Sequence, residues 1–260
     1  MLHPRPPHQT RIAMSPAVSP ELVAELAPTG TLRAAINLSN FLLVTGRTPA
    51  GDPEGVSPSM AKAIADRLGV PVAYVPYPRP GELADAVADG AWDIGLIGAE
   101  PQRAEKIAFT AAYCEIEATY LVPAGSPIRV LADVDRPGVR IASTARAAYD
   151  LWLERNIRHA TVIRTESLDD ACARFLADRL DVLAGLRPRL LADLRRIPGA
   201  RILDGRFMAV QQAIGTPRGR TAGARFLAEF VEQAKASGFV AGLIERFGAD
   251  GLSVAPPAAA

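Results

Sequence analysis

The stretch DIGLIGAEPQRAEKIAFT, residues 93–110, decides how the rest of this chain is read. Asp93 to Ile97 opens it with a short apolar run of the kind that forms a strand buried on both faces. Gly98 ends the run and permits close backbone approach, and Pro101 starts a short helical turn carrying Arg103. A planar guanidinium at a strand's carboxyl end can hold a carboxylate through two parallel hydrogen bonds, with backbone N–H groups assisting. On spacing alone, Arg103 reads equally well as a surface residue paired with Glu100 or Glu105. The choice depends on whether the chain builds a cleft for Arg103 to face.

Upstream, Leu32 to Leu38 reads as a strand, followed by a Gly/Pro-rich loop from about Thr45 to Pro58. Ser59 to Leu68 places Met60, Ala63, Ile64 and Leu68 on one helical face, with Gly69 as the cap. Val70 to Pro76 is a second strand, and Glu82 to Ala88 a second helix closed by Gly90. The order then recurs downstream. Val139 to Ala142 reads as a strand, Ala147 to Arg155 as a helix and Thr161 to Arg164 as a strand. A helix from Leu168 to Asp178 and an apolar strand from Leu180 to Leu186 complete the series. Ser167 with Asp170 resembles a capping box in which Asp replaces the usual Glu. Each series ends in a helix, a turn, an Asp (Asp93, Asp181) and an apolar strand.

Such alternation predicts mostly parallel sheets with helices on both faces, and its repetition predicts two α/β lobes. Thr119 to Pro123 leaves the first series, and Met208 to Thr216 follows the second. Helices over about Ala222 to Ala236 and Phe239 to Phe247 carry Phe226, Phe230, Val231, Leu243 and Ile244 at core spacing. If these helices pack on the first lobe, the chain crosses twice between lobes and the crossing strands form a double-crossover hinge. The expected organisation is residues 1–28 as a disordered N-terminal segment, 29–117 as lobe 1 and 118–212 as lobe 2. Residues 213–252 then return to lobe 1, and 253–260 are a flexible tail. Ligands of open α/β sheets sit beyond the carboxyl ends of the strands, so two lobes facing each other make a closable cleft.

Bulk properties narrow the function further. Basic and acidic residues nearly cancel at net charge +1, so no nucleic-acid or membrane-surface partner is expected. Arg187, Arg189, Arg195 and Arg196 lie among acids and leucines and read as a solvated helix face. Cys114 and Cys172 sit in separate apolar segments, which favours buried free thiols. His3, His8 and His159 are too scattered for a metal site, and no cofactor is implied. Residues 1–28 contain no apolar core of signal-peptide length, and Met14 offers a second start. As written the chain reads as cytoplasmic, and as periplasmic if the true N-terminus differs. No apolar stretch approaches the length of a membrane span. A nucleophile elbow, a phosphate-binding loop and a His-Glu-x-x-His zinc motif are all lacking.

The string from Asp93 through Gly98, Pro101, Gln102 and Arg103 to Phe109, Thr110 and Tyr113 resembles the signature of type II solute-binding proteins, family 3, which serve amino-acid ABC transporters. The likeness runs from about Leu32 to Phe247. It includes Gly69-Val70-Pro71, Gly90-Ala91-Trp92-Asp93, Arg179-Leu180-Asp181 and Lys235 to Val240. It implies a two-lobed periplasmic-binding-protein-like type II fold of the α/β class and non-catalytic binding of an amino acid or related organic acid. A transport receptor would have an ABC permease as partner; a sensor would not. By the same resemblance, Arg103 binds the ligand's α-carboxylate beside Gly98. Asn40 or Phe41 stands where an aromatic wall is usual, and Phe41 is equally a core candidate. Thr144 or Ala147, depending on register, takes the position of a hydroxyl residue at a helix N-terminus. Arg146 has no counterpart and is either a second positive charge in the cleft or simply exposed.

The chain departs from the family pattern after Asp181. Where amino-acid binders carry an acid for the ligand's ammonium group, this sequence has Leu186 followed by Arg187. A buried ammonium without a partner is costly. Either the ligand lacks an α-amine and is held by Arg103 with Arg146 or Arg187, or Glu100 supplies the carboxylate. The rival class is an enzyme on this fold, such as a cyclohexadienyl dehydratase-like lyase. The segment where such enzymes place a general-acid Glu reads Arg187-Pro188-Arg189-Leu190, and arginine does not titrate near neutrality.

Overall fold

The computed structural model describes residues 18–259. The expected disorder of residues 1–17, the alternative start at Met14, and His3 and His8 lie outside the described residues. The first element is helix α1, Pro20–Leu26, within the segment expected to be disordered. Ser19 caps it, accepting from Leu22 N, and its short apolar face buries Leu22 and Leu26. Glu25, which interrupts the apolar run in the sequence, accepts a hydrogen bond from Gly223 N at 2.7 Å, in the first turn of a later helix. A carboxylate at a helix N-terminus satisfies an orphan N–H and complements the dipole.

Lobe 1 continues with β1 (Leu32–Asn37), a two-strand hairpin of β2 (Gly46–Arg47) and β3 (Pro53–Glu54), and α2 (Val56–Leu68). The hairpin and the first turn of α2 replace part of the expected loop. Gly69 closes α2 in the left-handed region, as its position suggests. Next come β4 (Val72–Tyr77), α3 (Pro80–Asp85) with a 3-10 turn to Asp89, and β5 (Ile94–Gly98). The turn α4 (Pro101–Ala104) and strand β6 (Ile107–Phe109) follow. Strand β1 pairs in parallel with β4 on one side and β5 on the other.

Strand β7 (Cys114–Val122) carries the chain into lobe 2. There β8 (Arg140–Thr144), α5 (Ala148–Asn156), β9 (Thr161–Thr165), α6 (Leu168–Ala177) and β10 (Val182–Leu186) repeat the rhythm. Strand β8 pairs in parallel with β9 and β10. Ser167 caps α6 by accepting from Asp170 N, but Asp170 answers the Ser167 hydroxyl rather than the backbone. Helix α7 (Arg187–Leu194) and β11 (Arg201–Ile202) lead into β12 (Met208–Pro217), which returns to lobe 1. Helices α8 (Thr221–Ala236) and α9 (Phe239–Arg246) pack their apolar faces on the lobe 1 core through Phe226, Phe230, Val231 and Leu243.

The two long strands are the double-crossover hinge. Over Cys114–Ala118 and Met208–Gln212, β7 and β12 pair with each other. Beyond that overlap β12 pairs with β5 in lobe 1, and β7 pairs with β10 in lobe 2. Strand β10 reaches β7 only from Ala118 onward, leaving one edge of Cys114–Ile116 open. The last strand, β13 (Leu252–Val254), fills that edge. Ala255 is buried and donates to Tyr113 O, and Lys235 Nζ donates to Pro256 O. The segment expected to be a flexible tail from 253 is thus docked, because an unpaired strand edge takes up the Leu-Ser-Val alternation. Both cysteines are buried free thiols.

Candidate functional site

The carboxyl ends of six parallel strands, three from each lobe, face one cavity of about 880 Å³. From lobe 1, Asn37 ends β1 and Ser39 to Phe41 follow it, Pro78 to Pro80 follow β4, and Gly98 ends β5 with Arg103 beyond it. From lobe 2, Thr144 ends β8 and Ala145, Ala147, Ala148 and Tyr149 follow it, Glu166 to Asp169 follow β9, and Leu186 ends β10 with Arg189 beyond it. Val210 and Gln212 of the crossing strand complete the wall. That volume and convergence suit a small solute.

Arg103 is buried at the edge of this cavity, 6% exposed. Its position follows from the strand end: Gly98 O accepts from Nη1 at 2.7 Å, curling the side chain back over β5. Nη2 donates to the carbonyl of Arg146 in lobe 2 at 2.9 Å. Among the described residues no carboxylate lies within ion-pair distance of it. Burial lowers its pKa from the ordinary value to about 10, against the opposing pull of Glu100's charge. It is still a cation at neutral pH, desolvated and lacking a counter-charge in contact. Gly98 is needed for close packing: a Cβ there would come within 3.0 Å of both Ala148 Cβ and Val210 Cγ1.

Of the other residues singled out by sequence, Asn40, Phe41, Gly98, Thr144, Ala147 and Leu186 line the cavity. Phe41 is 39% exposed, so it is a wall rather than a core residue. Three do not line it. Glu100 is buried and bonded to Arg155 of lobe 2 at 2.6 Å, so it is not placed to receive a ligand ammonium. Burial raises its pKa, and Arg155 holds the rise back. Arg146 does not line the cavity; its guanidinium crosses the cleft mouth to pair with Asp85. Arg187 points to the hinge side, where Glu117 accepts from Nε at 2.7 Å. The expectation that Arg146 or Arg187 adds positive charge in the cleft is therefore corrected.

Sequence reasoning missed the residues that set the cavity's charge. Arg189, read as part of a solvated face, is only 18% exposed and lines the cavity with Asp193, to which it bonds at 2.9 Å, and with Asp169 at 2.6 Å. Arg79 pairs with Glu82 at 2.6 Å and with Glu166 across the cleft mouth. Arg196 also lines the cavity from an exposed position near Asp169. Proline at the second position of α7 fixes the first turn, in which Arg189 faces inward two residues on from the outward Arg187. That signal was present in the sequence, but its sense depends on the helix's rotation. The Tyr149 hydroxyl is buried in the lobe 2 wall and its pKa is pushed up to about 12 by desolvation. No group of His, Cys, Asp and Glu among the described residues could hold a metal ion. No helix there is long and apolar enough to cross a membrane.

The sequence profile of the bacterial extracellular solute-binding proteins, family 3, matches residues 41–250. No curated protein matches. Among solved structures, a mutant of ArgBP from T. maritima superposes with a TM-score of 0.70 at 20% identity, covering 88% of this chain and all of that one. The ancestral amino acid-binding protein AncCDT-1, a precursor of cyclohexadienyl dehydratase, gives 0.69 at 21% identity, with 86% and 98% covered. The amino acid ABC transporter substrate-binding protein AbpA from Streptococcus pneumoniae, bound to L-arginine, gives 0.69 at 16%, with 86% and 97% covered. At these identities the structures establish the two-lobed type II fold.

Proposed function

The chain belongs to the bacterial extracellular solute-binding proteins, family 3, and from that premise we propose that it captures a small carboxylate without an α-ammonium group between its lobes. The observation that carries this is Arg103: a buried guanidinium at the cavity, without a carboxylate in contact. An entering carboxylate supplies the missing charge to a guanidinium that is itself shielded from water. The other cavity charges support a single-charged ligand. Arg79 has Glu82 and Glu166, and Arg189 has Asp169 and Asp193. A second ligand carboxylate would have to displace one of these acids or turn to Arg196 at the exposed side of the cavity, and Leu186 offers an ammonium nothing. Phe41, Pro78, Leu168, Leu186 and Val210 give the rest of the solute an apolar surround.

We further propose that binding is non-catalytic. Each carboxylate lining the cavity is ion-paired to an arginine, which leaves no free acid to shuttle protons near neutrality. The natural setting for such a receptor is outside the cytoplasm with an ABC permease as partner, in keeping with the family's description. A second reading is a cationic amino acid whose ammonium groups share Glu166 and Asp169; the arginine in AbpA favours it. Calorimetric titration against monocarboxylates, dicarboxylates and α-amino acids separates the readings. Tight binding to monocarboxylates is expected. Tight binding confined to α-amino acids would establish the second reading, and no binding to any carboxylate would overturn both.

A further inference from the structure

We infer that Arg146 is a latch that holds the two lobes closed and sets the position of the Arg103 clamp. This rests on the proposed reading only in naming Arg103 as the clamp; the closing role stands on its own geometry. Arg146 follows β8 in lobe 2, yet its guanidinium reaches helix α3 of lobe 1. Nη1 and Nη2 donate to the two oxygens of Asp85, each at 2.8 Å, and Nη2 also donates to Gly81 O at 3.3 Å. This is the bidentate arrangement that gives an arginine–carboxylate pair its directional preference.

Two features show that the contact is built into both lobes. Gly81 provides a seat: a Cβ there would lie 2.9 Å from both Cζ and Nε of Arg146. Arg146 itself adopts φ 59°, one of two left-handed non-glycine residues among those described. A non-glycine residue adopts that conformation only at a cost in backbone strain. Here it sends the side chain across the cleft mouth while the carbonyl turns back to accept from Arg103 Nη2. Arg146 N donates to Asp150, which is buried and also holds Arg164, so the turn is fixed from within lobe 2.

The latch lies in a rim of alternating charge. Arg79, Glu82 and Asp85 from lobe 1 meet Arg146 and Glu166 from lobe 2, and Arg155 pairs with Glu100 deeper in the cleft. Arg146 and Asp85 are both more than half exposed. An exposed pair of this kind contributes little to folding and is screened by salt. It is nevertheless suited to biasing an equilibrium between open and closed lobes that differ by a small free energy. The ligand-free protein should therefore populate the closed form at low ionic strength and lose it as salt rises.

Small-angle X-ray scattering of the full chain, stripped of carried-over solute by unfolding and refolding, tests this. From about 0.02 M to about 1 M sodium chloride, the radius of gyration of the unaltered protein should increase. Arg146→Gln and Gly81→Ala should have the larger radius at every salt concentration, and Arg146→Lys an intermediate one. Circular dichroism confirms that each variant is folded, and Gly81→Ala perturbs the seat without altering charge. Radii for Arg146→Gln and Gly81→Ala equal to that of the unaltered protein, with the same salt response, would overturn the latch. Because no solute is present, this outcome is independent of whether the ligand is a carboxylate.

Discussion

The two lobes agree at the amino ends of their strands and disagree at the carboxyl ends. In lobe 1, Asp93 accepts from the backbone N and Nε of Arg33, while Arg33 Nη1 donates to Gly90 O. In lobe 2, Asp181 accepts from the backbone N and Nε of Arg140, while Arg140 Nη1 and Nη2 reach the carbonyls of Asp178 and Arg179. Even the turns match: Gly90 and Arg179 both have left-handed backbones. One device ties the first strand of each series to the turn before its last strand, far from the cleft. At the other end of those same last strands, β5 leads to the buried Arg103 and β10 ends in Leu186. Agreement marks what each α/β unit needs in order to fold, and the difference marks what the cleft does.

The repeated device is not equally strong in its two copies, and this gives the largest expected effect. Asp93 is fully buried and also accepts from Arg220 of the returning chain at 3.0 Å, whereas Asp181 is 39% exposed and, among the described residues, has Arg140 as its single salt-bridge partner. Asp93→Ala should cost about 1–3 kcal/mol of stability in denaturant unfolding, because the backbone N–H of Arg33 and two partly exposed arginines lose their shared acceptor. Asp181→Ala should cost under about 1 kcal/mol. Equal costs would mean that the third arginine contributes nothing.

At the differing ends, Leu186→Asp should sharpen the contrast by giving lobe 2 the acid it lacks. Affinity for α-amino acids, measured by calorimetry, should rise by roughly 10- to 100-fold, about 1.4–2.7 kcal/mol, while monocarboxylates lose affinity. Phe41→Ala removes part of the apolar wall without touching the clamp. It should weaken binding of an apolar monocarboxylate by about 1–2 kcal/mol and leave acetate nearly unaffected. The smallest effect is on pH dependence. Binding an anion favours the charged guanidinium, so affinity is flat while Arg103 stays protonated. With its pKa lowered to about 10, affinity should fall above that pH by about tenfold per unit. A decline beginning near neutrality would point to a different titrating group.

Much of the fold was legible because period and punctuation act locally. The strand–helix alternation, the left-handed caps at Gly69 and Gly90 and the two crossing strands all follow from residues close in sequence. Arg103 at the end of β5 was legible for the same reason. The missed features depend on partners far along the chain. Glu100 is claimed by Arg155 and Arg146 by Asp85, and neither choice is encoded near the residue that makes it. Arg187 and Arg189 are separated by one residue but face opposite ways, a matter of how α7 is rotated on its sheet. The sequence suggests disorder at helix α1 and flexibility from the second residue of strand β13 because a seven-residue helix and a three-residue strand gain their stability from α8 and from the open edge of β7.

The central claim is that a desolvated guanidinium without a counter-charge is what this cleft uses to hold its solute. Arg103→Ala, titrated by calorimetry with the carboxylate that the panel selects, tests it most directly. The expected result is a loss of about 2–4 kcal/mol, roughly 30- to 1000-fold in Kd, in a protein that circular dichroism shows to be folded. Undiminished affinity in a folded Arg103→Ala protein would contradict the account and place the clamp elsewhere in the cleft.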